Sequence, residues 1–451
     1  MMVPGGLLLA TLLASTASAG EPVGVVNRFS AGVWFDAAPS SRAYGLDMLL
    51  SDTLRASLVE KPKLHLDLLA AARLNVRLFD GGRVDQARVR ALELRFKLDK
   101  VVLDVGRFTP KGGGIRLVDG VQALGDLGHG VQLGAWAGLS PDPWNTMPAL
   151  RFGGGPVLAW TDKRGEVSLL GEVLATPDGL DRVSGVARGR LELGRVAEMS
   201  GLVDLQAGGK DAPVRLSDAT AFFRLDPHPD VRVDLMYDAW SSLSYLVSSS
   251  RDPTLTRFAA RSVALAEDPW NPQDSVDTTV YHMAGATVAW DHALTEDGPT
   301  HLRLTVDGRY RHHTLADRRY ARAGLRADVT GLVGGRVDVG VGERFLWWQG
   351  HPGSDSTASV WAQLDKGGMA ALDVSAQVVV QPLEGAANWA PAVYADAFVD
   401  VMATPDLTVS AGYAFGNALD LDRWDTSHSA LLQLTWRADS RALARRRQEE
   451  P

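Results

Sequence analysis

Residues 302–311 read LRLTVDGRYR. Leu302, Leu304, Val306 and Tyr310 occupy one parity; Arg303, Asp307, Arg309 and Arg311 occupy the other. The next segment repeats the arrangement, with Ala321, Ala323, Leu325, Ala327 and Val329 alternating with Arg322, Arg326, Asp328 and Thr330. Successive side chains of an extended strand project to opposite faces. These segments are therefore strands with one apolar and one charged face. The pattern recurs from about residue 64 to residue 437. Few segments are apolar on both faces, as the centre of a soluble sheet protein would require. The expected fold is all-β: a transmembrane antiparallel up-and-down barrel with lipid outside and water inside.

The bulk properties agree with that expectation. The chain has 451 residues, a net charge of −8 and no cysteine. Its mean hydropathy is −0.05, and alternation hides the apolar content of a membrane barrel in just this way. After the N-terminus there is no apolar run long enough for a membrane-spanning helix. Residues 7–14 form a short apolar core, and Ala17-Ser18-Ala19 makes a small-residue cleavage site before Gly20. The expected organisation is a signal peptide at 1–19, a barrel at 20–437 and a polar periplasmic tail at 438–451. An exported chain without disulfides must draw its stability elsewhere, and a closed strand ladder supplies it.

A spanning strand of about 9–11 residues plus half of each connection amounts to roughly 20–25 residues. The expected count is thus about 18–20 strands, with a range of about 16–22. Weaker strand patterns lie near 29–36, 44–58 and 115–123. Asp99-Lys100 reads as a two-residue hairpin, and Asp226-Pro227-His228-Pro229 and Thr404-Pro405-Asp406 as proline turns. Longer connections are expected near 138–149, 207–217, 239–278, 346–356, 381–391 and 416–427. Trp160, Trp240, Trp290, Trp347, Trp348 and Trp436 fall near strand ends, where membrane barrels carry aromatic girdles.

The charged parity holds the candidate functional residues. It comprises Arg73 and Arg77; Arg95, beside Glu93 and Lys97; Arg188 and Arg190; Arg232 and Asp234. It continues with Arg303, Asp307 and Arg309; Arg322, Arg326 and Asp328; and Arg336 and Asp338. So many charges in a dry core would be prohibitively costly. Lining a wide aqueous lumen, Arg rows attract anions and Asp rows attract cations. Sequence patterns for HExxH metalloproteases, GxSxG hydrolases and phosphate-binding loops are missing. His312-His313 and the acidic group Asp420, Asp422 and Asp425 lack metal-site spacing. Neither catalysis nor a cofactor is implied.

Val105-Gly106-Arg107, then Arg116, then Asp119-Gly120-Val121, resembles a recurring porin pattern. In it a Gly-Arg strand end leads into an Arg…Asp-Gly turn. With the periodicity and the signal peptide, the mature chain resembles a Gram-negative outer-membrane porin-like barrel. That resemblance implies a channel for polar or anionic solutes, including saccharides, through an Arg/Asp-lined lumen. Three variants stay open: a diffusion porin, an exopolysaccharide-export barrel with a periplasmic partner, and a plugged scaffold barrel. Outer-membrane lipid is the expected surrounding. A homo-oligomer is compatible with the resemblance, and nucleic acid is not an expected partner.

Overall fold

The structure is a computed structural model. It describes residues 24–439 apart from 39–42, 62, 80–81, 114–115, 142–149, 178, 209–213, 242–279, 296–297, 314–317, 349–350, 365–367, 383–388 and 421–422. The expected signal peptide and most of the expected tail lie outside the described residues, as do residues 242–279 of the longest connection.

Almost everything described is strand. The first half holds β1 (Gly24–Ala38), β2 (Ala43–Lys61), β3 (Leu64–Phe79), β4 (Gly82–Leu98), β5 (Val101–Phe108) and β6 (Val118–Gly128). There follow β7 (Val131–Leu139), β8 (Phe152–Asp162), β9 (Gly165–Thr176), β10 (Gly179–Glu192) and β11 (Ala197–Gly208). The second half holds β12 (Arg215–His228), β13 (Val231–Ser241), β14 (Val280–Ala293), β15 (His301–His313), β16 (Arg318–Gly331) and β17 (Val337–Trp348). It ends with β18 (His351–Gln363), β19 (Ala370–Pro382), β20 (Trp389–Thr404), β21 (Leu407–Asp420) and β22 (Arg423–Asp439).

Each strand pairs antiparallel with the next, and β22 pairs antiparallel with β1. The result is one closed sheet of 22 strands, at the top of the range expected from length. The expected count ran low because the allowance of residues per strand was too high: many connections are shorter than it assumed. Residues 346–348, 351–356, 416–420 and 423–427 are corrected from loop to strand. In both places the chain continues as strand up to connections of two residues, 349–350 and 421–422. The Pro352-Gly353 pair misleads because it reads as a turn, yet Pro352 lies at the start of β18, where a strand tolerates a missing N–H. All three weaker patterns correspond to strands, in β1, β2 and β6. The Asp99-Lys100 hairpin forms with Asp99 at φ 42°, in the left-handed region.

The two parities separate as the alternation requires. Val306 (54% exposed) pairs with Leu325 (56%) on the outer face of β15 and β16, and Val341 (55%), opposite Ala327, continues that face on β17. Charges are sparse on that face among the described residues, and where Arg107 and Asp119 occur there they pair with each other. Trp160, Trp290 and Trp436 sit outward near the rim where even-numbered strands end, and Trp347 sits outward near the opposite rim. The Trp240 and Trp348 side chains fall outside the described residues. At the second rim Tyr237 bonds His282 (2.8 Å) and Tyr413 bonds His428 (2.6 Å). Such rings, apolar in body and polar at the tip, suit a membrane–water interface.

One glycine shows how tightly the ladder closes. Gly106 lies at φ 113°, and a Cβ there would stand 2.1 Å from the Leu92 carbonyl oxygen, so no other residue fits. The two faces make a further prediction. Val306→Arg, on the outer face, should lower folding stability in lipid vesicles by about 2–4 kcal/mol. Thr305→Arg, on the inner face, should change it by much less. Urea titration of folding into vesicles measures both.

Candidate functional site: a charged lumen with an in-folded loop

The described part of the connection after β5 does not leave the barrel. Phe108 and Pro110 are fully buried, and residues 109–113, 116 and 117 lie against the inner wall. The Lys111 amide donates to Gln122 Oε1 (2.8 Å), and Lys111 Nζ donates to Gln132 Oε1 (2.7 Å). The Arg116 amide donates to the Gly113 carbonyl (3.1 Å), which closes a small turn. Gly112 lies so close to Ser168 that a Cβ would stand 2.9 Å from its hydroxyl.

Arg116 is the anchor of this loop. Its side chain is 5% exposed. Nε reaches Glu172 at 3.0 Å; the Nη2 group reaches Ser184 at 2.9 Å and Asp204 at 3.0 Å. Arg182 and Ser184 also bond Glu172, and Gln206 bonds Asp204 and Ser217. Beneath the loop is an apolar patch on the inner face: Val118, Leu124, Trp136, Val157, Leu170 and Val186. An apolar patch facing an aqueous lumen needs a cover, and the loop supplies it. The two devices are complementary. Apolar burial holds the loop down, and a buried guanidinium with satisfied partners sets where it lies.

The other half of the inner wall is polar. Asp307 stands between Arg322 (3.6 Å) and Arg344 (3.7 Å), and Arg344 also meets Asp355 (3.4 Å). Gln377 donates to Asp355 (2.8 Å). Arg326 is held by Asp328 (2.7 Å) and donates to Ser359 (2.8 Å). Glycines make these reaches possible. Gly324 separates Asp307 from Arg344 in the cross-strand row, and a Cβ on it would stand 2.6 Å from the Arg344 side chain and 2.9 Å from the Asp307 carboxylate. The charges therefore meet over a bare backbone.

The residues expected from sequence divide into groups. Arg303, Asp307, Arg309, Arg322, Arg326 and Asp328 share the inner face of β15 and β16, with Arg309 directly across from Arg322. Arg95 is inward on β4, bonded to Asp104 (2.7 Å) and Glu93 (3.0 Å). Arg73 is inward on β3, opposite Arg88. Arg77 lies on the same strand, but its side chain is outside the described residues. Arg188 and Arg190 share the inner parity of β10, and Arg190 pairs with Glu198 (2.6 Å). Asp234 pairs with Arg224 (2.9 Å), and Arg232 with Asp226 (3.3 Å), near one rim. Arg336 lies in the turn between β16 and β17 rather than in a strand. Asp338 accepts a hydrogen bond from the Gly331 amide (2.7 Å) across that turn. The sequence reading missed Glu172, Asp204 and Arg344 as site members. Each sits on a predicted strand in the charged parity, but only the in-folded loop and the glycine gaps give them partners. Among the described residues there is no cluster that could hold a metal ion.

A closed sheet with an apolar outer belt and a charged interior defines a transmembrane up-and-down β-barrel. No family model matches the chain, and no curated protein matches it. Among solved structures it is similar to OpdQ of Pseudomonas aeruginosa, with 10% identity and a TM-score of 0.46, covering 93% of this chain and 100% of that one. It is also similar to the outer membrane protein OprD of the same organism, with 10% identity and a TM-score of 0.44, covering 95% and 96%. OccK9 (OpdG), from the same organism, gives 10% identity and a TM-score of 0.47, covering 93% and 99%.

Arg116→Met should leave the Asp204 carboxylate buried without its cation and Glu172 with Arg182 alone. The cost is expected at about 3–5 kcal/mol, as for other broken buried pairs. A lowered urea midpoint, with faster proteolysis of the 109–117 loop in the folded barrel, measures it.

Proposed function

We propose that this barrel is an outer-membrane channel that passes small polar solutes, with a preference for anions, and performs no chemistry on them. The observation that carries this reading is the polar inner wall of β14–β19, where Arg322 and Arg344 flank Asp307, Arg309 lies opposite Arg322, and these three guanidinium groups outnumber the two carboxylates beside them, Asp307 and Asp355. In a water-filled lumen such an excess of guanidinium lowers the energy of a passing anion. The in-folded loop narrows the path on the opposite wall, so solute size is selected by a segment held in place by Arg116. The pore-lining set is the inward parity named above. Residues 1–19 serve export, and 438–451 remain on the periplasmic side.

Lipid is the partner of the outer face. Assembly into a homo-oligomer and cooperation with a periplasmic export partner belong to this proposal as open branches. A plugged scaffold barrel is the main rival, with the in-folded loop as its plug. Planar-bilayer recording separates the two. Discrete conductance steps are expected, and a silent barrel that is folded by heat-modifiable gel mobility would overturn the channel reading.

Two further outcomes follow from the same geometry. Replacing Arg309, Arg322 and Arg344 together by Ala should lower the anion/cation permeability ratio several-fold, measured from reversal potentials in a salt gradient. Replacing residues 110–115 by a short Gly-Ser linker should raise single-channel conductance. An unchanged conductance would mean that the loop does not limit the path.

A further inference from the structure

A second feature of the lumen is not accounted for by a row of guanidinium groups. On the inner face, one cross-strand row runs Asp338, Trp361, Asp373, Phe398 and Gly412, over β17 to β21. Carboxylates and aromatic rings alternate along it. Phe398 packs against Gly412, where a Cβ would stand 2.2 Å from its ring. Trp361 is two residues from the end of β18, so the row sits near the rim of tight turns. Beside it opens a cavity of about 620 Å³, lined by Arg303, Arg326, Asp328, Ser359, Trp361 and Asp373 among others.

The chemistry of this cavity differs from that of the Asp307 region. Arg326 is held by Asp328 and Ser359, and Arg303 by Asp291 (2.8 Å). Asp338 is engaged by the Gly331 amide. Asp373 is an exposed carboxylate between the two rings. Gly340 is the floor: a Cβ there would stand 2.2 Å from Asp328 and 2.4 Å from Arg326, so the ion pair rests on bare backbone. Guanidinium charges already neutralised by carboxylates offer little net attraction to an anion. The same pairing weakens the attraction of Asp328 for a cation. What remains is a mixed set of fixed donors and acceptors around an aromatic face. A ring that carries hydroxyl groups at its edge and C–H bonds on its face fits that set. Its hydroxyls both donate and accept, and its C–H face packs on an indole.

We infer that Trp361, with Asp373 and the Arg326–Asp328 pair, forms a subsite for an uncharged pyranose ring at the tight-turn mouth of the lumen. The inference rests on the channel reading and deepens it by naming a solute class. Trp361 and Asp373 act by contact with the sugar, and Gly340 acts by letting the ion pair lie flat beneath it.

The test uses the full barrel and two independent readouts. In planar bilayers, maltose should reduce ionic current in a saturable way. Trp361→Ala should raise the half-blocking concentration about tenfold, consistent with loss of an aromatic contact. Asp373→Asn should raise it several-fold, and Trp361→Tyr should retain most of the block. Block is read relative to each variant's own open-channel conductance. Calorimetric titration of the detergent-solubilised barrel with maltose reads the same subsite without requiring conduction. A barrel that conducts nothing yet binds maltose through Trp361 would overturn the channel reading and support the subsite. A conducting barrel whose maltose block is absent, or equal in wild type, Trp361→Ala and Asp373→Asn, would overturn the subsite and leave the channel reading intact. Block by choline with none by maltose would also overturn it, because it would assign the row to cations.

Discussion

The constraint on which everything else depends is that lipid cannot satisfy a backbone N–H or C=O. A strand at the edge of an open sheet would leave a row of them unpaired in hydrocarbon, at several kcal/mol for each group. Pairing β22 with β1 removes both edges at once. Closure then dictates the inner and outer faces, since a closed ladder has no other place for its two parities. The apolar belt of Val306, Leu325 and Val341 and the charged wall of Asp307, Arg322 and Arg344 are two consequences of one ring of hydrogen bonds.

A wide barrel creates a second problem, because its interior is too large to be filled by the side chains of the wall. This chain answers it differently on its two sides. Along β6–β10 the inner face carries an apolar patch covered by the described loop residues 109–113, 116 and 117, with Arg116 fixed among Glu172, Ser184 and Asp204. Along β14–β19 the inner face stays wet, and its charges are arranged against one another over glycines. The lumen therefore has a packed wall and a polar wall. The polar wall is itself divided, with guanidinium groups in excess around Asp307 and a carboxylate–aromatic row near the tight turns.

Much of this architecture is legible along the chain. The period-two alternation is local, and in β15 and β16 it is strong enough to assign each residue a face without knowledge of any neighbour. Turn residues such as Asp99-Lys100 mark hairpins because their backbone requirements are also local. The misreadings are equally instructive. Residues 346–356 look like a loop because Pro352 and Gly353 are turn formers in isolation, but the ladder carries the strand past them. The in-folded loop is not legible at all. Lys111 and the glycines after it carry no periodicity, and their position depends on an apolar patch assembled from five strands, β6–β10.

The alternation of side chains by itself determined that this chain is a barrel in lipid and which parity meets water, because a side chain's face follows from its strand and nothing more. Only the tertiary structure decided which charges meet. Strand partners and register bring Asp307, Gly324 and Arg344 into one row, and Trp361 between Asp338 and Asp373 in another. Register is a property of pairs of strands, and closure is a property of all of them together. Neither is written in any single segment, which is why the path through the lumen and its candidate subsite appear only once the ring is closed.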